Sequence, residues 1–310
     1  ESLMQQTRAP DKIIISDDGS SDSTCYKLEQ WSKKFPHLIE IQQNRSFSNG
    51  HTGNFSYLCE LAKKSNGDYF LFCDQDDVWD VNKIKIQLSA CLAEEKKYGS
   101  SEPVLVHSDL KVVDSSLNEM AASFFNFQGL PGAQTHDFPK FLIQNNVTGC
   151  ATLINRALLE VGSPLPKEVV VHDWWFALVA KLLGRLVFID QSLIAYRQHS
   201  ENAIGAKVIK EGISFDMLKK LWGLKKHIVK SANQAFRLLE LTGVGANKNV
   251  HPNNKVLLQF AALAEQSALT RWKLSSHFVN NLNSPIERLV FAYICDSLLQ
   301  LKLYLLTPCN

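Results

Sequence analysis

The sequence predicts an α/β fold with a doubly wound, mostly parallel sheet and flanking helices, followed by a helical C-terminal region. Short apolar runs alternate with amphipathic stretches through the first half of the chain, and acidic clusters directly follow two of those runs. After about residue 205, helical periodicity takes over. We therefore expect two domains, 1–205 and 206–310.

The first hundred residues alternate between predicted strands and helices. The strands are short apolar runs bounded by turn residues, at 12–16, 38–41, 69–73 and 104–107. The helices between them carry cap residues and amphipathic patterns, at 24–34, 55–64 and 81–98. Continuous apolar runs suit strands that are buried on both faces, as in a parallel sheet.

The next hundred residues continue the alternation less regularly. Residues 124–139 are rich in glycine, proline and aromatic side chains, which indicates a loop. The later elements are a turn that enters a strand at 146–154, a helix from His172 to about residue 183 closed by Gly184, and strands at 186–189 and 193–197. Beyond them, helices are predicted at 215–241, 254–276 and 285–306.

The composition excludes several classes of protein. Lys+Arg 33 against Asp+Glu 31 gives a net charge of +2 over 310 residues, which argues against nucleic acid as a partner. A hydrophobic fraction of 45% excludes wholesale disorder. Seven scattered cysteines without a Cys-x-x-Cys pair indicate reduced thiols of a cytoplasmic protein, not a disulfide framework or a zinc site. No apolar run is long enough for a membrane-spanning helix.

The acidic cluster after the third predicted strand is the most informative motif. Asp74, Asp76 and Asp77 place three carboxylates within four residues, and these repel one another unless a cation neutralises them. Ligands bind at the carboxyl ends of parallel strands, and carboxylates there suit Mg²⁺ or Mn²⁺. The alternative is a solvated acidic turn that caps the following helix.

A second acidic cluster, 16–24, follows the first predicted strand. Asp17 or Asp18 can accept a hydrogen bond from a nucleotide base or a ribose hydroxyl, while the serines cap the next helix. Taken alone, the cluster is better explained as an N-cap with turn residues. Two such clusters after two strands of one sheet favour a ligand site.

Two further motifs lie later in the chain. Asp173 at a helix start is either an N-cap or a general base beside apolar walls, and the neighbouring Trp174 either stacks on a sugar or packs in the core. For Trp175 we favour the core. Arg197 and His199 end a strand, where they would contact a diphosphate or, for His199, a metal; a structural role for His199 is equally open.

These motifs occur in one order that resembles the inverting family 2 glycosyltransferases of the GT-A fold. The motifs are 16–24, Gly53-Asn54-Phe55, 74–79, 146–150, His172-Asp173-Trp174 and 196–199. The resemblance covers about residues 1–205 and is greatest to the bacterial rhamnosyltransferase-like branch, which builds surface polysaccharides. It also implies that the family's first strand is missing before Glu1, so that the domain is N-terminally truncated.

The resemblance implies a role for each matching residue. Nucleotide binding falls to Asp17, Asp18, Asn54 and Asp74; Mn²⁺ or Mg²⁺ binding to Asp76, Asp77 and His199; catalysis to Asp173; and sugar contacts to Thr148, Gly149, His172, Trp174 and Arg197. The implied donor is a dTDP- or UDP-sugar, with L-rhamnose as the sugar that the branch suggests. The implied acceptor is a glycan or a lipid-linked glycan.

Two other functions remain open from the residues alone. A nucleotidyltransferase shares the α/β architecture and an acidic metal site, and a degenerate scaffold would bind nucleotide or glycan without catalysis. The basic amphipathic stretch 217–230 suits either a helix on anionic lipid or a solvated helix. We expect a cytoplasmic protein. If the stretch 217–230 binds lipid, the protein also contacts the inner face of the plasma membrane peripherally.

Overall fold

The computed structural model describes residues 1–43, 50–130, 138–198, 217–242 and 252–261. The chain forms two compact units. The first comprises Glu1–Gln134, Asn146–Leu165 and Val171–Ile209, and the second comprises Thr135–Asn145, Pro166–Val170 and Lys210–Asn310. Two short segments from the first two hundred residues thus group with the C-terminal residues, and the predicted division near residue 205 stays a prediction.

The first unit contains all the described strands and six helices. The strands are β1 Ile13–Asp17, β2 Ile39–Gln43, β3 Tyr69–Leu71, β4 Val78–Trp79, β5 Val104–Val113, β6 Glu119–Ala121, β7 Thr152–Asn155 and β8 Arg185–Arg197. Its helices are α1 Thr24–Lys34, α2 Gly50–Lys64, α3 Lys83–Tyr98, α4 Phe124–Phe127, α6 Arg156–Gly162 and α7 His172–Leu183. Short 3₁₀ helices occur at Ser2–Gln5 and Gly149–Ala151. The second unit contains α5 Phe138–Ile143, α8 Met217–Thr242 and α9 Pro252–Ala261.

The strands form a central sheet flanked by helices, which confirms the predicted α/β class. The larger sheet has the order β3-β7-β5-β8-β4, with β6 on β5, and β1 pairs with β2 separately. The pairing is mixed, so the expectation of a mostly parallel sheet is wrong in this respect. Only β1–β2 and β5–β8 are parallel among the described pairs. A short turn joins β5 to β6, and such a short link permits only antiparallel pairing.

Two local expectations are also wrong. The predicted strands 186–189 and 193–197 are parts of one strand, β8. Asp190 and Gln191 form a bulge between them, since the residues on either side still pair with β5. Their exposed polar side chains resemble a turn in the sequence. In the predicted loop, α4 forms at Phe124–Phe127, where Ser123 Oγ accepts the Asn126 N–H as an N-cap.

The core of the first unit holds β5 and α7 in place. Val104, Leu105 and Val106 of β5 are fully buried, and α7 is apolar on almost all of its faces. Trp175 is completely buried, as predicted, and its indole N–H donates to Gly162 O at 2.8 Å. The packing of α7 fixes its N-terminus, which carries His172 and Asp173.

In the second unit, side chains of α8 bind the segment Pro166–Val170. Gln234 Oε1 accepts the Val170 N–H at 2.9 Å, and Arg237 pairs with Glu168 at 2.7 Å. Helix α8 covers the predicted basic stretch, although the side chains of 217–226 lie outside the described residues. The predicted helix at 254–276 is seen as α9 up to residue 261, and 285–306 lies outside the described residues. Among the described residues, none of the helices combines the length and the hydrophobicity that a membrane-spanning helix needs.

Candidate active site

The loop after β1 is organised by Asp17. Its carboxylate accepts the Gly19 N–H at 3.2 Å and the Ser20 hydroxyl at 2.5 Å, and the Ser20 hydrogen bond is the largest cause that lowers the pKa of Asp17. Gly19 has φ +113, a conformation that favours glycine. Asp17 is therefore occupied with its own turn, while the neighbouring Asp18 is exposed and available to a ligand.

Asn54 joins α2 to the end of β1. Its Nδ2 donates to Ser16 O at 3.1 Å, and its Oδ1 accepts the Ser16 hydroxyl at 2.5 Å. Both ends of the amide thus contact Ser16. Asn54 fixes the position of the loop that carries Asp17 and Asp18, whereas the resemblance implied that it binds the nucleotide.

The acidic turn between β3 and β4 is fastened to the end of β8 by Arg197. Its backbone N–H donates to Asp77 Oδ1 at 3.1 Å, its Nε donates to Asp76 O at 2.9 Å, and a further guanidinium N–H donates to Ser115 O at 2.5 Å. Arg197 thus holds three segments together, and much of its hydrogen-bonding capacity is used in doing so. The predicted partner His199 lies outside the described residues.

The three carboxylates of this turn differ in their surroundings. Asp77 is buried, and burial raises its pKa to about 7, while Asp74 and Asp76 are half-buried. Burial also raises the pKa of Asp74, against the opposing effect of His51. Asp76 is consequently better placed than Asp77 to reach a ligand in solvent.

Cys150 brings a thiol to the acidic turn. Its Sγ atom lies close to two carboxylates of this turn. One carboxylate oxygen of Asp74, one of Asp77 and the Cys150 Sγ all lie within 4.8 Å of one another. Cys150 belongs to the 3₁₀ helix Gly149–Ala151, and it is 1% exposed. From the sequence alone, Cys150 was expected to be only a reduced core thiol.

The same 3₁₀ helix holds the candidate base. The Gly149 N–H donates to Asp173 Oδ2 at 2.8 Å, and the other carboxylate oxygen accepts the Trp174 N–H at 2.5 Å. Asp173 is half-buried at the first turn of α7. Adjacent residues of one short turn therefore contact the acidic turn and the candidate base.

Gly149 is required here by space. A Cβ atom at this position would lie 2.7 Å from His172 Nε2 and 3.3 Å from Asp173 Oδ2. Cβ atoms essentially never come within 2.7 Å of another heavy atom, so a larger residue would displace the imidazole, and the carboxylate would have to shift by a few tenths of an ångström. Thr148, which precedes it, is half-buried and its side chain does not cap the turn.

His172 is buried among aromatic rings. Its ring stacks on Phe55 with centroids 4.0 Å apart and meets Phe72 edge-on at 4.8 Å. Both ring nitrogens are buried without a hydrogen-bond partner among the described residues, and burial lowers the pKa of His172 well below its usual value. The imidazole is therefore neutral at pH 7, and it is too buried to contact a sugar in this structure.

Trp174, for which the resemblance implied a sugar contact, packs in the core of this structure. It is 1% exposed, so no sugar can stack on its ring in this structure.

Sequence reasoning missed two other residues of the site. His51 is exposed, and its ring lies 5.5 Å from that of His172. Lys83 is fully buried, and its ammonium lies 3.8 Å from the centre of the Trp79 ring.

A signal for these residues was partly present in the sequence. His51 lies two residues before the motif Gly53-Asn54-Phe55, but nothing in the sequence shows that its charge acts on Asp74. Lys83 occupies an apolar position of α3, where a lysine reads as an exposed residue. Its environment is decided by tertiary packing.

Known glycosyltransferases resemble this chain over different shares of its length. The dTDP-rhamnosyl transferase RfbG from Shigella flexneri is 27% identical over 249 residues, which cover 75% of this chain and 78% of the relative. A UDP-Glc:alpha-D-GlcNAc-diphosphoundecaprenol beta-1,3-glucosyltransferase, WfgD from Escherichia coli, is 30% identical over 91 residues, covering 29% of this chain and 33% of the relative.

A solved structure shares the fold. TarS residues 1–349 from S. aureus, in complex with UDP-GlcNAc, match with a TM-score of 0.51 at 14% identity, covering 94% of this chain and 81% of that chain. At this identity the likeness shows the fold alone. It confirms the predicted fold class.

A family model described as "Glycosyl transferase family 2" matches residues 1–162, which is just over half of the chain. The resemblance carried by the ordered motifs is thereby confirmed. The chain is a glycosyltransferase, and it belongs to glycosyl transferase family 2.

Proposed function

We propose that the chain is an inverting, metal-dependent glycosyltransferase of cell-surface polysaccharide synthesis. It moves a sugar from a nucleotide-sugar donor to a glycan or lipid-linked acceptor. A dTDP- or UDP-sugar is the donor class, and the similarity to a protein named dTDP-rhamnosyl transferase favours L-rhamnose. A cytoplasmic location fits this donor and acceptor.

One observation carries the proposal: the 3₁₀ helix Gly149–Ala151 links the acidic turn to the candidate base. The Gly149 N–H holds Asp173 at 2.8 Å, and the next residue, Cys150, lies against Asp74 and Asp77. A donor bound at the acidic turn would therefore lie beside a carboxylate in a fixed position. Such positioning supplies much of the rate enhancement in group transfer.

Asp173 acts as the base in this proposal. Two N–H groups orient its carboxylate, which removes the proton from the acceptor hydroxyl. The acceptor oxygen bonds to the anomeric carbon as the bond from that carbon to the diphosphate breaks. The nucleoside diphosphate leaves without needing a proton, so one carboxylate suffices and a single displacement inverts the configuration.

The acidic turn fits a divalent cation. Its carboxylates are hard oxygen donors, and three of them lie within four residues at the end of a strand. Asp76 and Asp77, with His199, would hold Mn²⁺ or Mg²⁺. When bound, the ion would offset the negative charge on the departing diphosphate. Asp18 and Asp74 remain the residues that we propose for nucleotide binding, and Thr148 for the sugar.

The substitution Asp173→Asn tests the base. Asparagine keeps an oxygen that can accept the Gly149 N–H, but it cannot take a proton at pH 7, so kcat should fall by roughly 10²–10⁴-fold while donor binding persists. Transfer would be measured with a panel of nucleotide sugars, with the product linkage determined by NMR. Asp190→Asn, at an exposed carboxylate on the β8 bulge, is the matched control. Full activity of the Asp173 variant would remove this residue from the mechanism.

The products distinguish the alternatives. A glycosyltransferase releases a nucleoside diphosphate, whereas a nucleotidyltransferase releases pyrophosphate. Calorimetric titration with Mn²⁺ and nucleoside diphosphates addresses the scaffold hypothesis. No metal-dependent nucleotide binding, together with no transfer, would favour a non-catalytic scaffold.

We also propose peripheral contact between α8 and an anionic membrane surface. The lysines at 219, 220, 225, 226 and 230 lie in a sequence that also contains Leu, Trp and Ile, a composition that suits lipid interfaces. The chain should co-sediment with anionic vesicles at low salt and be released at high salt. An absence of binding at low salt would contradict this contact.

A further inference from the structure

A buried lysine and a buried glutamine lie one turn apart on α3, and the proposed mechanism uses neither of them. Lys83 and Gln87 are both fully buried. Lys83 Nζ donates to Gln87 Oε1 at 2.8 Å, and it lies 3.8 Å from the centre of the Trp79 ring. Burying a lysine costs free energy, and an apolar side chain would fill the same space at lower cost. Stability alone therefore does not explain this pair.

The glutamine amide connects α3 to the candidate active site. Gln87 Nε2 donates to Ala151 O at 2.5 Å, although the two residues are 64 positions apart. Ala151 is the last residue of the 3₁₀ helix Gly149–Ala151, and the first N–H of that helix donates to Asp173 Oδ2 at 2.8 Å. One end of this three-residue helix is thus bonded to α3, and the other end is bonded to the candidate base.

Lys83 decides which way the glutamine amide points. An amide that turns over exchanges its acceptor oxygen and its donor nitrogen, whereas an ammonium group has donors only. Gln87 consequently presents its oxygen to Lys83, and its NH₂ group is left to face the acceptor Ala151 O. The Trp79 ring holds the ammonium in place by a cation–π contact. The lysine thereby selects the amide orientation that binds the 3₁₀ helix.

The 3₁₀ helix can transmit a displacement from one end to the other. Gly149 O accepts both the Thr152 backbone N–H and the Thr152 hydroxyl, the latter at 2.7 Å. These bonds join the start of the helix to the residue that follows Ala151, so the helix moves as one piece. A shift of Ala151 O would therefore move the Gly149 N–H that orients Asp173.

We propose that Lys83 and Gln87 are positioning residues for glycosyl transfer, which hold the 3₁₀ helix in place and through it orient the Asp173 carboxylate. In this role neither side chain touches the donor or the acceptor. The inference rests on the proposed function, in which Asp173 removes the proton of the acceptor hydroxyl.

The substitution Gln87→Leu removes the donor to Ala151 O. The kcat should fall roughly 10–100-fold, because a small misplacement of a reacting group has an effect of that size. The KM of the donor should change by less than about twofold, because the lost interaction serves the base. Gln234→Leu is the matched control, since Gln234 is equally buried and accepts the Val170 N–H in the second unit. It should lower the stability but not the kcat of the folded protein.

A cycle with Asp173→Asn separates positioning from a general defect. If Gln87 acts through the base, adding Gln87→Leu to Asp173→Asn should lower kcat by less than about a further twofold, because residues that act as one unit are non-additive. A general defect would lower kcat by the same factor in both backgrounds. Folding of each variant is checked by circular dichroism before the kinetics are measured.

The double variant Lys83→Met/Gln87→Leu covers the case in which Gln87→Leu does not fold. Replacing both members of a buried hydrogen-bonded pair by apolar side chains of similar shape is nearly neutral for stability, so the double variant should fold and show the same fall in kcat.

Three results would each overturn the inference: an unchanged kcat in the folded single or double variant, an equal fall in Gln234→Leu, or the same factor in the Asp173→Asn background. Full activity of Asp173→Asn would contradict the proposed base and this inference together. Loss of activity in Asp173→Asn with an unchanged kcat in Gln87→Leu would contradict this inference alone, so the two failures are distinguishable.

Discussion

The contact between Gly149 and His172 gives the sharpest quantitative prediction. A methyl group at position 149 would lie 2.7 Å from His172 Nε2 and 3.0 Å from Cε1. The imidazole cannot easily retreat, because Phe55 stacks on it at 4.0 Å and Phe72 lies at 4.8 Å. Gly149→Ala should therefore overpack this core and lower the free energy of unfolding by about 1–3 kcal/mol.

A double-mutant cycle tests whether the imidazole is the cause. His172→Ala removes the ring that the new methyl would strike, and the methyl then fills part of the vacated space. Gly149→Ala should accordingly cost about 1–3 kcal/mol less in the His172→Ala background than in the wild type, giving an interaction energy of that size. The control is Gly162→Ala, whose added methyl would meet Phe176 Cε1 at 2.6 Å instead. Its cost should be similar in both backgrounds.

Urea unfolding followed by circular dichroism and fluorescence measures each corner of the cycle. Thermal unfolding gives an independent reading, with an expected fall in Tm of roughly 2–4 °C per kcal/mol for a unit of this size. An equal cost of Gly149→Ala in both backgrounds would refute the steric argument, and the glycine would then need another explanation.

Two further predictions concern other buried polar residues. The unfolded chain releases the Asp77 proton near its ordinary pKa of 3.8, whereas the folded chain holds it to about pH 7, so the free energy of unfolding should fall as pH rises through this range. In Asp77→Asn, urea unfolding across pH 4–8 should show a shallower fall, and an unchanged slope would contradict the assignment. Asn155→Ala should cost about 2–4 kcal/mol, because Asn155 Oδ1 accepts the N–H groups of Val104 and Leu158. Asn126→Ala, at an exposed side chain, should cost far less in the same unfolding assay.

Local pattern predicted much of the first unit. Helix α1 spans Thr24–Lys34, as the sequence indicated, and α7 begins at His172 and ends at Leu183. These elements follow from side-chain periodicity and end signals that lie within a few residues of one another. The mixed pairing of the sheet could not be predicted from local pattern, because the direction in which two strands pair depends on partners that are distant in sequence.

The site shows the same division. The sequence supplied the acidic turn and Asp173 as candidates, because carboxylates after a strand or at a helix start carry a local signal. It left Trp174 open between a sugar contact and the core, and the packing of α7 buries that side chain. It also passed over His51 and Lys83, whose surroundings come from other segments.

The sequence by itself determined the family, the order of most elements and the residue types that chemistry needs. Tertiary structure decided which of those residues meet. Gly149 holds Asp173 from 24 residues away, and Cys150 reaches Asp77 across a still longer separation. Such contacts depend on how α7, the 3₁₀ helix and the acidic turn pack on one sheet. Periodicity records which face of an element is buried, but it does not record the side chain that will lie opposite.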